Sequence, residues 1–430
     1  MPGRYHHIAL TSILLMTVAT SDGAETLHET IDEYIRANIP VTKEIDVFLN
    51  EMSWARFDPE VGYTLGSYMP RDGVDGSSTF STSQPDGTRT SFMYKDQACR
   101  INTYGNSFTQ CHQVSDGETW QEYLAGHLGE PIRNFGMGGF GVYQAYRRMV
   151  REEQTDKGAE YVMLYIWGDD HLRSLLRCRY MLIGPWNRSQ DSKEGVGRMF
   201  HGNFWSNMEM NLDTGKLEEH DSRISDPEKL HLMTDADWMV ENLRDDLALQ
   251  MAVYARGGIR IVDVESLRRL AGHLNHPLTV ADGRVSRGDV SALLDAYSFA
   301  ATKAILMKAR AFAEKHDKKL LVLLLDPYRV TRVLLEGGER YDQEIVDFLN
   351  EHEFNVFDMN VVHEADFKSF DLSPEDYFKR YFIGHYSPAG NHFFAYSLKD
   401  KVVDWLEPKP LPYRETEQRV IDFKGYLQNY

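Results

Sequence analysis

Alternating strand and helix patterns dominate the chain from Arg100 onward and restrict the fold more than any other feature. Short apolar runs, typical of buried strands, alternate with runs whose apolar residues recur at helical spacing. The predicted strands are 100–103, 131–134, 161–167, 258–264, 319–325 and 355–358, and the predicted helices include 119–127, 142–153, 344–349, 391–405 and a long one ending at Lys315. Such alternation predicts a parallel sheet covered by helices on both faces.

Two regions depart from this rhythm. Residues 25–57 have apolar side chains at helical spacing and predict two helices, and residues 58–95 are rich in Gly, Ser, Thr and Asp, which favours an irregular or hairpin-bearing extension. Residues 172–250 combine Trp186, Phe204, Trp205 and Trp238 with many acidic residues and little periodicity. We interpret this segment as a large insertion over the functional site. Asp289 or Ser291 is the expected cap of the long helix.

Length and charge limit the organisation and the partners. With 430 residues, 42% of them hydrophobic, the chain is expected to form one elaborated domain, here assigned to 96–410, followed by a tail at 411–430. The net charge of −18 argues against nucleic acid, because phosphate binding requires clustered Lys and Arg. A membrane-surface role is disfavoured for the same reason.

The N-terminus has the pattern of a secretory signal peptide. Arg4, His6 and His7 precede an apolar segment from Ile8 to Ala19, and this segment is shorter than the roughly 20 residues that span a bilayer. Residues 1–24 are therefore predicted to be a cleaved leader, with the mature protein secreted or periplasmic and without a stable membrane anchor. In an exported chain, Cys111 and Cys178 form the better candidate disulfide; three buried thiols, including Cys99, are the alternative.

Four motifs follow one another in a fixed order. They are Tyr104-Gly-Asn-Ser107, Asn134-Phe-Gly-Met-Gly-Gly-Phe-Gly141, Trp167-Gly-Asp-Asp-His171 and Gly384-His-Tyr-Ser-Pro-Ala-Gly-Asn391. A serine on a tight glycine-containing turn after a strand is where an esterase holds its nucleophile out of the sheet. The order of these motifs resembles the SGNH (GDSL-type) hydrolase superfamily, from about Asp58 to the final helix. That resemblance implies a three-layer α/β/α sandwich and ester hydrolysis or acyl transfer.

The resemblance also implies roles for particular residues. Ser107 corresponds to the nucleophile and His385 to the general base that takes its proton. The backbone N–H groups of Ser107 and Gly139 would stabilise the oxyanion. We further expect Asn106, Asp170 and Arg173 to contact the substrate. No cofactor is implied.

The chain departs from the family pattern at two places. Asp169 replaces the Asn that completes the oxyanion hole, and Asn106 replaces the Asp before the serine, so the two side chains are hypothesised to have exchanged places, with Asn106 or a protonated Asp169 as the donor. Phe382 occupies the usual position of the triad acid. Asp376 or Asp371 could take over, or a backbone carbonyl could orient the histidine in a dyad.

Other interpretations of the same residues stay open. Asp169, Asp170 and His171 with His385 could bind a metal, although neighbouring residues of an extended strand point to opposite faces, and our assignment contains no metal. Arg173, Arg177 and Arg179 could bind an anionic substrate group or be solvated. Asn187-Arg-Ser is a glycosylation acceptor pattern. The aromatic residues of the insertion could stack on sugars or pack in the core.

The leading hypothesis is an exported serine esterase that removes an acyl group from a carbohydrate or another small ester. The first alternative is a polysaccharide O-acyltransferase of the same fold, which would use the same serine intermediate with a sugar as acceptor. The second is a non-catalytic glycan-binding protein on an SGNH-like scaffold.

Overall fold

A five-stranded parallel sheet organises the protein. The computed structural model describes residues 27–184 and 200–414, so the predicted leader, Trp186 and the Asn187-Arg-Ser pattern lie outside the described residues. In the sheet the spatial order is β11-β10-β5-β3-β4, and every neighbouring pair is parallel. The strands are β1 (Ala55–Asp58), β2 (Gly62–Leu65), β3 (Ile101–Tyr104), β4 (Ile132–Asn134), β5 (Tyr161–Ile166), β6 (Asn207–Asn211), β7 (Lys216–His220), β8 (Val280–Ala281), β9 (Arg284–Val285), β10 (Lys319–Leu324) and β11 (Val356–Asp358).

Helices connect the strands and cover the sheet. In chain order they are α1 (Ile31–Asn38), α2 (Thr42–Asn50), α3 (Ser107–Gln110), α4 (Trp120–Leu128), α5 (Val142–Glu152), α6 (Gly168–Arg173), α7 (Ala236–Leu243), α8 (Leu247–Arg256), α9 (Val264–Leu274), α10 (Arg287–Lys315), α11 (Arg332–Leu335), α12 (Gln343–Glu351), α13 (Met359–Phe367), α14 (Pro374–Tyr381) and α15 (Pro388–Trp405). Single 3-10 or π turns occur at Val74–Gly76, Asp116–Glu118, Pro227–Thr234, Pro327–Thr331 and Leu411–Tyr413.

The two faces of the sheet contribute to two separate cores, because successive strand residues point to opposite faces. In β5, Val162 and Leu164 pack with α5 and α10, whereas Met163 and Tyr165 pack with α4 and α15. All six residues of β5 are buried, as expected for the central strand of a parallel sheet. This arrangement is the predicted three-layer α/β/α sandwich.

The irregular segments pack onto this sandwich. Helices α1 and α2 and the β1–β2 hairpin belong to the same core cluster as α5 and α10. Phe204 and Trp205 are buried in that cluster and Trp238 packs edge-on against Phe204, so these three side chains serve packing rather than stacking on sugars. Helix α10 is long and apolar enough to cross a membrane, but 56% of its apolar window is buried inside the protein.

Three sequence predictions about this architecture are wrong. Residues 258–264 form only a bridge between His28 and Ile259, because α8 ends at Gly257 and Asp263 already caps α9. Helix α10 is capped by Ser286, whose side chain accepts from the Asp289 N–H, rather than by Asp289 or Ser291. Cys111 and Cys178 are not joined: both are buried free thiols, and Cys99 is free as well.

Candidate active site

Ser107 follows the carboxyl end of strand β3, which neighbours the central strand β5. Gly105 turns the chain with φ of +153°, and a Cβ at that position would lie 2.7 Å from the Tyr165 carbonyl oxygen, so glycine is required. Asn106 then caps α3 by accepting from the Phe108 N–H at 2.8 Å, which places Ser107 at the first helical position. The strand, the turn and the cap together hold the serine hydroxyl at the rim of the sheet.

His385 contacts this serine directly. It lies in the short connection between α14 and α15, and its Nε2 is 2.8 Å from Ser107 Oγ. A nitrogen at this distance can accept the hydroxyl proton if it carries a lone pair. The two residues are 278 positions apart in sequence, and the structure brings them together as the motif order predicted.

The tautomer of His385 is fixed by Gln113. The Gln113 side-chain oxygen accepts from the His385 backbone N–H at 2.7 Å and lies 3.0 Å from His385 Nδ1. The Gln113 side-chain nitrogen donates to the Asp72 carbonyl. Because an amide oxygen only accepts, Nδ1 must carry the hydrogen and Nε2 the lone pair that faces Ser107. Gln113 therefore occupies the position of a triad acid.

Neither aspartate that we considered for that position orients His385. Asp376 is exposed in the first turn of α14, where it bonds to Ser373 and pairs with Lys379, and Asp371 is exposed before that helix. Of the alternatives left open for this position, neither aspartate applies: Asp376 belongs to the first turn of α14, where its N–H donates to the Ser373 side chain. No signal in the motif itself pointed to Gln113.

The surroundings of His385 favour its neutral form. Burial lowers the pKa of the His385 imidazole well below its usual range, and the neighbouring His112 charge acts in the same direction. The two rings stack with centroids 5.0 Å apart, and Asp72 bonds to His112 Nε2 at 2.8 Å. The carboxylate of Asp72 partly opposes the downward shift of the His385 pKa.

Two backbone N–H groups are available beside the serine. The loop after β4 is held against the serine turn by the Met137 N–H, which donates to the Gly105 carbonyl, and by the Gly138 N–H, which donates to the Gln110 side chain at 2.7 Å. Gly139 follows with φ of +84°, a backbone conformation that favours glycine. Within the described ranges, neither the Ser107 N–H nor the Gly139 N–H donates a hydrogen bond.

The hypothesised exchange between Asn106 and Asp169 is not what the structure contains. Asn106 is fully buried and its amide donates to Asp170 rather than to Asp169; Asp170 also accepts from the Trp167 N–H at 2.8 Å. Burial raises the pKa of Asp170 to about 7. Because the contacts that join the serine turn to α6 take up both side chains, neither is free to bind a substrate, which corrects their predicted roles.

Asp169 and Arg173 form an ion pair on α6. Arg173 lies 3.2 Å from both Asp169 and Asp170 and its guanidinium stacks on the Trp167 ring at 4.8 Å. The Arg173 cation offsets the negative charge of Asp169. Asp169 is the residue that stands where the SGNH (GDSL-type) pattern has the Asn of the oxyanion hole. A substrate contact by Arg173 stays a prediction.

The metal interpretation has no geometric support. His171 is buried and its Nδ1 bonds to the Thr302 hydroxyl at 2.8 Å, and burial lowers its pKa to about 3. Asp170 is committed to Asn106 and Arg173. Within the described ranges, no group of three or more His, Cys, Asp or Glu side chains could hold an ion.

Comparisons with known proteins find distant likeness to solved structures. No protein-family model matches the chain, and no curated protein matches it. A solved structure of a member of the lipolytic protein G-D-S-L family from Veillonella parvula is similar over 47% of this chain and 96% of its own, with 16% sequence identity and a TM-score of 0.16. The fold assignment rests on the strand order and the two packed faces of the sheet, not on this likeness.

Proposed function

We propose that this protein is a serine esterase with an SGNH-type active site. The observation that carries the proposal is the 2.8 Å contact between Ser107 Oγ and His385 Nε2, in which Gln113 fixes the tautomer that a general base requires. A purely binding or structural role would not require a serine, a histidine and a tautomer-fixing glutamine in this arrangement. The sequence pattern of residues 1–24 supports export as part of the proposal.

The proposed reaction has two steps, and His385 takes up a proton and returns it in each of them. Ser107 Oγ attacks the ester carbonyl carbon while His385 Nε2 takes the hydroxyl proton, and the N–H groups of Ser107 and Gly139 donate to the oxyanion. The C–O bond to the alcohol breaks, and His385 returns the proton to that alcohol. Water then attacks the acyl-enzyme with His385 again as base, which releases the acid and restores Ser107.

Hydrolysis of 4-nitrophenyl acetate tests this function. We expect Ser107→Ala and His385→Ala each to lower kcat/KM by about 1,000-fold or more, because nucleophile and base act as a unit. Ser291→Ala is the matched control, since Ser291 is exposed on α10, and it should leave the rate unchanged. Retention of wild-type rate by Ser107→Ala would refute the proposal.

Acetyl transfer to an added oligosaccharide is the measurement that separates an acyltransferase from an esterase. Both use the same acyl-serine, so both require Ser107 and His385. If acetylated oligosaccharide is the main product, the protein is an acyltransferase rather than an esterase. Free acetate as the main product, even with excess acceptor, supports the esterase.

A further inference from the structure

The three arginines after α6 have different surroundings. Arg173 pairs with Asp169 and Asp170, and Arg177 pairs with Glu209 and Asp245. Arg179 forms no ion pair with any carboxylate in the described part of the chain, although only 9% of its surface is exposed. It is thus a buried cation that no carboxylate of the described residues contacts directly.

Arg179 is held at the edge of the candidate active site. Its guanidinium lies beside the Tyr63 hydroxyl, which donates to the Gly138 carbonyl at 3.2 Å. A Cβ added to Gly139 would overlap Arg179 Nη1, so the guanidinium lies directly against the residue that supplies the second oxyanion donor. Arg179 Nη1 itself is buried and has no hydrogen-bond partner.

An unpaired buried guanidinium is unfavourable unless something meets its charge. Burial lowers the pKa of Arg179 to about 10, and the nearby Arg173 charge also lowers it, yet the group stays a cation at neutral pH. Arginine presents a planar fork of donors that matches a carboxylate in two parallel hydrogen bonds. Within the part of the chain that the structure describes, the Nη1 next to Gly139 is a donor without an acceptor.

The local charges indicate the kind of anion. Asp169 and Asp170 both pair with Arg173, so among the described residues Arg179 is the cation of this region that no carboxylate contacts. A carboxylate would bring a single negative charge to Arg179, whereas a doubly charged phosphate would add more repulsion with Asp169. The net charge of −18 makes general attraction of polyanions unfavourable, so recognition must be local.

We propose that Arg179 binds the carboxylate of an acidic ester substrate, so that the enzyme acts on esters bearing a nearby carboxylate. This inference rests on the proposed esterase function. The carboxylate could belong to the acyl half, as in a hemisuccinate, or to the alcohol half, as in an acetylated uronic acid. Tyr63 positions the guanidinium in either case.

Matched ester pairs test the inference. For the acyl half, 4-nitrophenyl hydrogen succinate is compared with 4-nitrophenyl methyl succinate; for the alcohol half, an O-acetyl methyl galacturonoside is compared with its carboxamide. In one of these two comparisons the kcat/KM of the wild type should be about 10- to 100-fold higher for the acid than for the neutral ester. A hydrogen bond to a charged group contributes a factor of this size. Arg179→Met should remove that preference, so kcat/KM should fall at least 10-fold more for the acid than for its neutral partner.

The variant should also fold, because replacing an unpaired buried cation with an apolar side chain removes a desolvation penalty. We expect the Tm of Arg179→Met to equal or exceed that of the wild type. A preference for acids that survives in Arg179→Met, or no preference in either arm, would overturn the inference. An equal loss on acidic and neutral esters would also overturn it, since Arg179 would then serve the oxyanion.

A binding measurement separates this inference from the proposed function. Calorimetry with galacturonate and with succinate on Ser107→Ala requires no turnover, and the matched variant is Ser107→Ala/Arg179→Met. Carboxylate binding that the second substitution abolishes supports the Arg179 site even if no ester is hydrolysed. Equal binding to both variants, or no binding to either, counts against the site whatever the catalytic result.

Discussion

At the scale of single residues, replacing Gln113 tests its positioning role. Gln113→Ala should lower kcat on 4-nitrophenyl acetate by roughly 10- to 100-fold with little change in KM, because His385 loses the acceptor that fixes its tautomer. Gln113→Glu should recover part of that rate. An unchanged kcat in Gln113→Ala would show that the contact is only structural.

Some residues of the site could be predicted from the sequence and others could not. Ser107 and His385 could be identified from motifs, because a serine turn after a strand and a histidine before a Ser-Pro segment are local patterns. Gln113 could not, since its contact with His385 depends on the left-handed backbone of Cys111 and Gln113, with φ of 61° and 72°. The Asn106–Asp170 bond was missed because the sequence does not say which carboxylate faces the serine turn.

The pH dependence of catalysis follows from the state of His385. The base must be neutral, so activity is lost as pH falls through its pKa, which burial lowers below 6.5. We expect the acid limb of kcat/KM to have its midpoint below pH 6.5. In Gln113→Glu the added carboxylate stabilises the imidazolium and should move that limb to higher pH. A wild-type midpoint at or above pH 6.5 would contradict this reasoning.

At the scale of elements, strands were predicted within one or two residues wherever apolar runs ended in clear turns, as in β3 and β5. The prediction of a strand at 258–264 was wrong because this short apolar run lies between the cap of one helix and the cap of the next. The sequence also did not reveal how the N-terminal extension supports the site. Arg89, from that extension, donates to the carbonyls of Gln110, Cys111 and Val114 and pairs with Asp116 at 2.9 Å.

Removing Arg89 tests this support. Arg89→Ala should lower the free energy of unfolding by about 3–5 kcal/mol, because it leaves the buried Asp116 carboxylate with its Thr82 hydrogen bonds but without its cation, and should also reduce esterase activity by loosening the turn that carries Gln113. Arg36→Ala is the control, since the Arg36–Asp237 pair is exposed, and it should cost about 0–1 kcal/mol. Urea titrations of the three proteins provide the comparison. Equal midpoints for both variants would contradict the role of Arg89.

At the scale of the whole molecule, the alternating pattern predicted the three-layer sandwich because buried parallel strands leave a strong apolar signal. The assignment of domain boundaries at 96 and 410 stays a prediction. In the described parts of the segment at 172–250, which are 172–184 and 200–250, apolar side chains such as Trp205 extend an existing core instead of forming a layer of their own. This accounts for the weak periodicity of those parts. Pairing of the cysteines could not be predicted, since it depends on which segments meet across that core.

Thiol chemistry tests the corrected cysteine assignment. Burial raises the pKa of Cys111 and of Cys178 to about 12, so neither should react with a thiol reagent in the native protein. Denaturation should expose three reactive thiols, and reductant should leave Tm unchanged. Only one reactive thiol after denaturation, with an intact mass lower by two hydrogens, would demonstrate a disulfide.

The central claim is that Ser107 is an activated nucleophile, and labelling with a fluorophosphonate probe tests it most directly. Such probes require an activated serine but no knowledge of the substrate. We predict that the intact mass of the wild type increases by one adduct and that Ser107→Ala, which should retain the same Tm, does not react. A folded wild type that remains unlabelled, or an adduct that persists in Ser107→Ala, would contradict the account.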